Sequence, residues 1–209
     1  MIVINFKNYV PGERAIDMAK YIEKYLPDAI VSVPATDIFE VSAETRLKVY
    51  AQHLDNIESG RGTGYITFQS VKTAGAVGSL LNHSEHQLPW KVIEKTMEIA
   101  KKEGLKIILC TSKIRDAEKL AVLKPYAIAY EDPKLIASGN SVTFYRADEV
   151  ANFAKALKGT GVLPLCGAGI QNRADVIAAK QLGCKGVLIS SAIVNSKNPE
   201  KLLKELARV

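Results

Sequence analysis

Short apolar runs alternate with amphipathic segments along almost the whole chain. The apolar runs contain few polar residues, which is typical of strands buried on both faces of a parallel sheet. They predict eight strands, at residues 2–6, 29–34, 48–52, 76–82, 106–110, 126–131, 161–166 and 186–191.

Several intervals between these strands have the periodicity of an amphipathic helix. Apolar side chains recur at three and four positions in residues 11–26, 148–159 and 172–183, and Gly159 and Gly183 stand where helices would end. The second and third intervals have weaker periodicity, and a mostly irregular loop is expected before the fourth strand. The chain therefore alternates strand and helix.

One short frame occurs twice. AGAVGSLL at 74–81 and LGCKGVLI at 182–189 share x-G-x-x-G-x-L-[LI], and each would end a helix and start a strand. Their separation fits four strand–helix units. This repeat, the eight strands and a composition without a break along the chain together predict a single-domain (β/α)8 barrel over residues 1–209. The alternative is an open doubly wound sheet, but the G-x-G-x-x-G fingerprint after the first strand is missing.

Composition narrows the class of protein. The 209 residues are 47% hydrophobic and 24% charged, and they are enough for one large core. No apolar run approaches the roughly 18 residues of a spanning helix, and the first residues lack the pattern of a secretory signal. Cys110, Cys166 and Cys184 lie far apart in apolar segments, as free thiols in a reducing compartment do. We therefore expect a cytoplasmic protein.

The net charge of +6 leaves three kinds of partner open: nucleic acid, an anionic surface and a small anionic ligand. The lysines are spread over amphipathic segments in which acidic residues interleave with them, and no basic strip contains aromatic residues. We expect neither a nucleic-acid nor a membrane partner, and a small anionic ligand remains.

Chemically active side chains stand at the ends of three of the predicted strands. The first strand ends in Asn5 and Lys7, the fourth in Asn82 and His83, and the sixth in Glu131. In a barrel these strand ends meet at one mouth. The set fits proton abstraction next to a carbonyl, with Glu131 as the base and His83 or Lys7 as the oxyanion donor.

Two turns of small residues follow the last two strands. They are CGAGI at 166–170 and SSA at 190–192, and their backbone N–H groups suit a phosphate. The sequence therefore predicts a phosphorylated substrate.

The stretch HSEH at 83–86 also raises the question of a metal. His83 and His86 are three residues apart, and Glu85 offers an oxygen. A closed zinc site needs further ligands, and the chain has no C-x-x-C motif or second histidine pair. We predict no metal and no cofactor, with His86 peripheral and His53 structural.

Five motifs in order resemble those of the triosephosphate isomerase family, especially its shorter archaeal branch. They are INFKNY at 4–9, LNHSEH at 81–86, YEDPKLIASG at 130–139, LCGAGI at 165–170 and GVLISSAIV at 186–194.

The resemblance implies a reaction and three catalytic residues. Glu131 would transfer a proton between the carbons of dihydroxyacetone phosphate and glyceraldehyde 3-phosphate through an enediolate, a step of glycolysis and gluconeogenesis. His83, at the start of a helix, would have a lowered pKa and donate as a neutral imidazole. Lys7 would supply positive charge to the substrate, and Asn5 would orient it.

The resemblance also implies supporting and phosphate-binding residues. Ser84 would hold the base before a lid closes, and Glu85 would pair with Lys7. The lid would be residues 132–139. Backbone N–H groups of four residues would bind the phosphate: Ile136, Gly169, Ser190 and Ser191.

An oligomer is a further implication. Residues 59–65, SGRGTGY, match a loop that projects into a partner subunit, with Thr63 near the neighbour's site. We expect a homodimer or homotetramer.

The chain departs from the family at several positions, among them Ala137 and Ser138 in the lid and the pair Ser190–Ser191 where glycines are common. Two alternatives therefore stay open: an inactive barrel that binds a phosphate ligand, and a different phosphate-binding barrel enzyme.

Overall fold

The computed structural model describes residues 1–58, 60–131 and 146–209. Eight parallel strands pair in chain order, and the last pairs with the first to close a barrel. The strands are β1 (Ile2–Asn5), β2 (Ile30–Val33), β3 (Lys48–Ala51), β4 (Gly78–Leu81), β5 (Lys106–Thr111), β6 (Ala127–Tyr130), β7 (Leu163–Cys166) and β8 (Gly186–Ile189). The predicted (β/α)8 barrel is confirmed, and the open sheet is excluded.

Most strands are shorter than the apolar runs that predicted them. The run at 2–6 yields a strand that ends at Asn5, and the run at 161–166 yields one that starts at Leu163. Phe6 lies beside Lys7, which has a φ of 47°, and Val162 lies beside Gly161, which has a φ of 80°. An apolar residue next to such a turn still packs on the core, although the backbone has left the sheet.

Helices surround the barrel. Among the described residues they are α1 (Glu13–Tyr25), α2 (Ile38–Glu44), α3 (Phe68–Thr73), α4 (Trp90–Glu103), α5 (Ile114–Ala121), α6 (Ala147–Ala156), α7 (Arg173–Gln181), α8 (Ser191–Val194) and α9 (Pro199–Leu206). The two intervals with weak periodicity contain the short helices α2 and α3. In the part of the chain that is described, no helix is both long and apolar enough to cross a membrane.

The repeated sequence frame has the same structure at both sites. Gly75 and Gly183 follow α3 and α7 with φ of 101° and 102°. Each glycine N–H donates to the carbonyl three residues back, and the next N–H donates to the carbonyl five residues back. Each copy thus ends a helix and starts a strand, β4 or β8, on opposite sides of the barrel.

Two layers of apolar side chains form the core, as the alternation of a strand requires. Inside the barrel lie ten buried residues: Val3, Ile30, Tyr50, Leu80, Ile108, Cys110, Ala127, Ala129, Leu165 and Leu188. The second layer lies between the strands and the helices and is larger. Cys110 is inside the barrel, Cys166 and Cys184 are in the outer layer, and all three are buried and free. The carboxyl ends of the strands are left to form one polar mouth.

Candidate active site

A cavity of about 40 Å³ lies at the carboxyl ends of the strands. The end of β1, the residues after β4 and β6, and the turns after β7 and β8 line it. These elements bring together seven residues singled out from the sequence: Asn5, Lys7, His83, Glu131, Gly169, Ser190 and Ser191. Ile136 and the predicted lid at 132–139 lie outside the described residues.

His83 and Glu131 face each other across this cavity. The Nε2 atom of His83 is 3.2 Å from Oε1 of Glu131, and their side chains are only 9% and 5% exposed. The backbone N–H of Glu85 donates to Nδ1 of His83 at 3.2 Å. Because Nδ1 accepts, a neutral imidazole here carries its proton on Nε2, which points toward the carboxylate.

The environment of His83 differs from the one that the resemblance implied. Residues 84–86 form a turn, and the next helix, α4, begins only at Trp90, so no helix start lies at His83. Burial, the largest influence, lowers the pKa of His83, but the hydrogen bond and charge of Glu131 and the charge of Glu85 outweigh it. The pKa of His83 is therefore raised, not lowered.

Lys7 occupies an unusual backbone position. Its φ of 47° lies in the left-handed region, and its N–H donates to Oδ1 of Asn5 at 3.0 Å. Its Nζ donates to Oε1 of Glu85 at 2.6 Å, the pairing that the resemblance implied. The lysine side chain is 13% exposed and the glutamate side chain 54%. The ammonium group of Lys7 is thus fixed at the edge of the cavity by Glu85, the more exposed of the two residues.

Unsatisfied polar atoms are concentrated here. Among the described residues, four buried side-chain atoms lack a hydrogen-bond partner, and three of them belong to Ser84, Glu131 and Ser190. Leaving such a group unpaired costs about 1–3 kcal/mol. Ser84 Oγ is one of them, so it makes no hydrogen bond to Glu131. Two of the three residues, Glu131 and Ser190, line the cavity and leave polar capacity available for a ligand.

The turn after β7 approaches the carboxylate closely. Ala168 and Gly169 both have positive φ, 58° and 65°, and both line the cavity. A Cβ on Gly167 would lie 2.6 Å from Cγ of Glu131, so only glycine fits there. Burial and the charge of Glu131 also raise the pKa of the Cys110 thiol well above its usual value, which keeps it protonated.

A second cavity, of about 400 Å³, adjoins the first on the outer side of Lys7. His53 and His86 stack there with ring centroids 4.2 Å apart, and Nε2 of His53 is 3.3 Å from Oδ1 of Asp55. Neither histidine lines the first cavity. In the described part of the chain, no three His, Cys, Asp or Glu side chains are grouped so that they could hold a metal ion.

Two residues at the mouth were missed in the sequence. Gly167 stands inside a quoted motif, and a glycine directly after a buried strand is the signal that was available. Gln52 follows β3 and donates to groups of the first two strand ends. Nothing in its sequence context separates it from a solvated glutamine.

Comparison with known proteins agrees with the fold. The family model described as triosephosphate isomerase matches residues 1–206. Curated proteins named triosephosphate isomerase are similar to the chain: that of Saccharolobus solfataricus is 38% identical over 98% of this chain and 93% of the relative. The triosephosphate isomerase of Methanocaldococcus jannaschii is 37% identical over 100% of this chain and 99% of the relative.

A solved structure has the same architecture. The crystal structure of triosephosphate isomerase from Bartonella henselae superposes with a TM-score of 0.73 at 17% identity, covering 92% of each chain. At that identity the likeness supports the fold alone. The family model and the archaeal relatives, which extend over nearly the whole sequence, show that the chain belongs to the triosephosphate isomerase family.

Proposed function

We propose that the chain interconverts dihydroxyacetone phosphate and D-glyceraldehyde 3-phosphate, in glycolysis and gluconeogenesis. The observation that carries the proposal is the buried pair of Glu131 and His83, 3.2 Å apart, in a cavity that Lys7 and two phosphate-type turns also line. The reaction needs a base, a donor to the carbonyl oxygen, and an anchor for phosphate. This cavity offers one candidate for each.

Glu131 is the proposed base. Its carboxylate would take a proton from the carbon next to the carbonyl and return it to the neighbouring carbon. Oε1 contacts His83, while Oε2 is buried and has no hydrogen-bond partner among the described residues. A buried carboxylate oxygen without a hydrogen-bond partner is free to accept the substrate proton.

His83 and Lys7 are the proposed oxyanion donors. With Nδ1 occupied by the N–H of Glu85, the imidazole donates from Nε2 to the substrate oxygens. A substrate between the two side chains separates His83 from Glu131, which removes the contact that raises its pKa. Lys7 adds a fixed positive charge, and Asn5, which accepts from the lysine N–H through Oδ1, keeps its amide nitrogen for the substrate.

The phosphate is proposed to bind at the turns after β7 and β8. Backbone N–H groups of Gly169, Ser190 and Ser191 would donate to it, with one more near Ile136 from a closing lid. In the structure, the first three N–H groups make no hydrogen bond to any described residue. Because the donors are backbone groups, serine in place of glycine at 190 and 191 is compatible with binding.

We further propose that the protein acts in the cytoplasm as a homodimer or homotetramer. The buried free thiols fit a reducing compartment. Thr63 and Tyr65, in the loop that the resemblance matches to a subunit contact, are exposed and therefore accessible to a second copy of the chain.

A coupled assay in both directions, with a chelator present, tests the reaction. We expect turnover in the wild type and a loss of about 10²–10⁴-fold in kcat for Glu131→Gln, because the amide cannot accept the proton. Glu118→Gln, an exposed carboxylate on α5, is the matched control and should keep full activity.

Other outcomes would assign another function. A wild-type protein without turnover that a triose phosphate still protects against heat would be a binding protein. Turnover that disappears with the chelator would require a metal-dependent mechanism.

A further inference from the structure

The side chain of Gln52 joins the ends of the first three strands. It follows β3, passes the end of β2 and reaches β1. Its Nε2 lies 3.0 Å from the carbonyl oxygen of Lys7, 3.3 Å from Oδ1 of Asn5 and 3.4 Å from the carbonyl oxygen of Ser32. One amide group thus connects three strand ends next to the cavity.

The chemistry of the neighbours fixes the orientation of this amide. The carbonyl oxygens of Lys7 and Ser32 can only accept, so the nitrogen of Gln52 must face them. Oδ1 of Asn5 also accepts from the N–H of Lys7, so it too is an acceptor toward Gln52. No other orientation of the glutamine satisfies these groups.

These contacts hold the backbone of Lys7 in a conformation that lysine rarely adopts. A φ of 47° is unfavourable for a residue with a Cβ, and it persists only where the surroundings enforce it. Asn5 holds the N–H of Lys7 and Gln52 holds its carbonyl oxygen, one anchor on each side of the strained Cα. At the far end of the side chain, Glu85 holds the ammonium group.

We propose that Gln52 is a positioning residue that acts through Lys7, fixing the root of its side chain so that the ammonium group is aimed at the substrate. The inference rests on the proposed function. Without Gln52 the carbonyl oxygen of Lys7 loses its partner, the backbone relaxes toward negative φ, and the long side chain leaves from a different direction.

The effect should be kinetic more than structural. A displacement of about 1 Å at a reacting centre can cost about 100-fold in rate. We expect Gln52→Met, which keeps the length of the side chain and removes its donors, to lower kcat/KM by about 10- to 100-fold. Gln181→Met, an exposed glutamine at the end of α7, is the matched control and should leave kcat/KM unchanged.

A double-mutant cycle with Lys7→Met distinguishes positioning from a general structural role. If Gln52 acts through Lys7, Gln52→Met lowers kcat/KM in the wild type and has no further effect once the lysine charge is gone. Affinity for 2-phosphoglycolate, a charged mimic of the enediolate, should follow the same pattern by calorimetry. Melting temperature and solution mass are measured for all four proteins.

Several results would overturn the proposal. The first is an equal loss of kcat/KM from Gln52→Met in the wild type and in Lys7→Met. The second is a change in kcat/KM of less than twofold in Gln52→Met. The third is a loss of kcat/KM that parallels a fall in melting temperature or in solution mass. If Gln52→Met does not fold, Gln52→Asn replaces it, since its amide is too short to span β2. A wild type without turnover refutes the proposed function, and the calorimetric cycle still tests Gln52.

Discussion

At the scale of single residues, His83 shows how contacts set the chemistry of a side chain. The histidine is buried, which alone would lower its pKa, yet the neighbouring carboxylates Glu131 and Glu85 raise it. His53 is the contrasting case, because burial lowers its pKa more than the hydrogen bond to Asp55 raises it. Only three histidines are present, so each can be followed separately.

A titration of the imidazole signals by nuclear magnetic resonance tests this difference. We expect His83 to titrate above the reference value of 6.5 in the unliganded wild type, and His53 below it. In Glu131→Gln the midpoint of His83 should fall, since burial remains and the carboxylate is gone. His53 is the internal control. If Glu131→Gln does not change the titration midpoint of His83, the assigned contact between His83 and Glu131 is wrong.

The same shift has a consequence for stability. The pKa of His83 is higher in the folded than in the unfolded chain, so folding favours the protonated form. This contribution is fully present below about pH 6.5 and is lost as the pH rises through the folded-state pKa. A bound substrate that separates His83 from Glu131 should remove it.

At the scale of elements, a capping box links α7 to the turn after β7. The side chain of Asn172 accepts from the N–H of Asp175 at 3.1 Å, and Oδ2 of Asp175 accepts from the N–H groups of Gln171 and Asn172 at 2.8 and 3.2 Å. Gln171 lines the cavity. The start of the helix is therefore tied to the proposed phosphate site.

Two asparagine caps make a matched comparison. Asn172→Ala and Asn198→Ala each remove the side-chain cap of a helix, α7 or α9, and should each lower the free energy of unfolding by about 1 kcal/mol. Only Asn172→Ala should also raise KM, because Asn198 lies outside the cavity. Denaturant unfolding and steady-state kinetics measure both quantities. Equal KM values in the two variants would show that the cap does not hold the phosphate turn.

At the scale of the whole molecule, the proposed assembly can be tested at exposed residues. Phe39 is 66% exposed and Tyr65 is 56% exposed, the latter on the loop that carries Thr63. We expect light scattering to give at least twice the chain mass of 22.8 kDa. Thr63→Arg should reduce this mass and the activity together, since a buried unpaired charge is costly at an interface. Gln181→Arg, on an exposed surface elsewhere, should change neither, and a wild type with the mass of a single chain would refute the oligomer.

The sequence by itself determined the barrel and the residues at its mouth. Eight apolar runs and two equivalent helix-to-strand connections are local patterns that the sequence contains. In a parallel barrel the carboxyl ends of all strands lie on the same face. Asn5, Lys7, His83 and Glu131 were therefore predicted to meet, and they line one cavity.

Only the tertiary structure decided how these residues interact. The raised pKa of His83 arises from Glu131, a neighbour distant along the chain, and the sequence motif suggested the opposite direction. The need for glycine at position 167 comes from the approach of Glu131, and the role of Gln52 from atoms of two other strands. Contacts between strands depend on distances that no local pattern encodes, because closure of the barrel creates them.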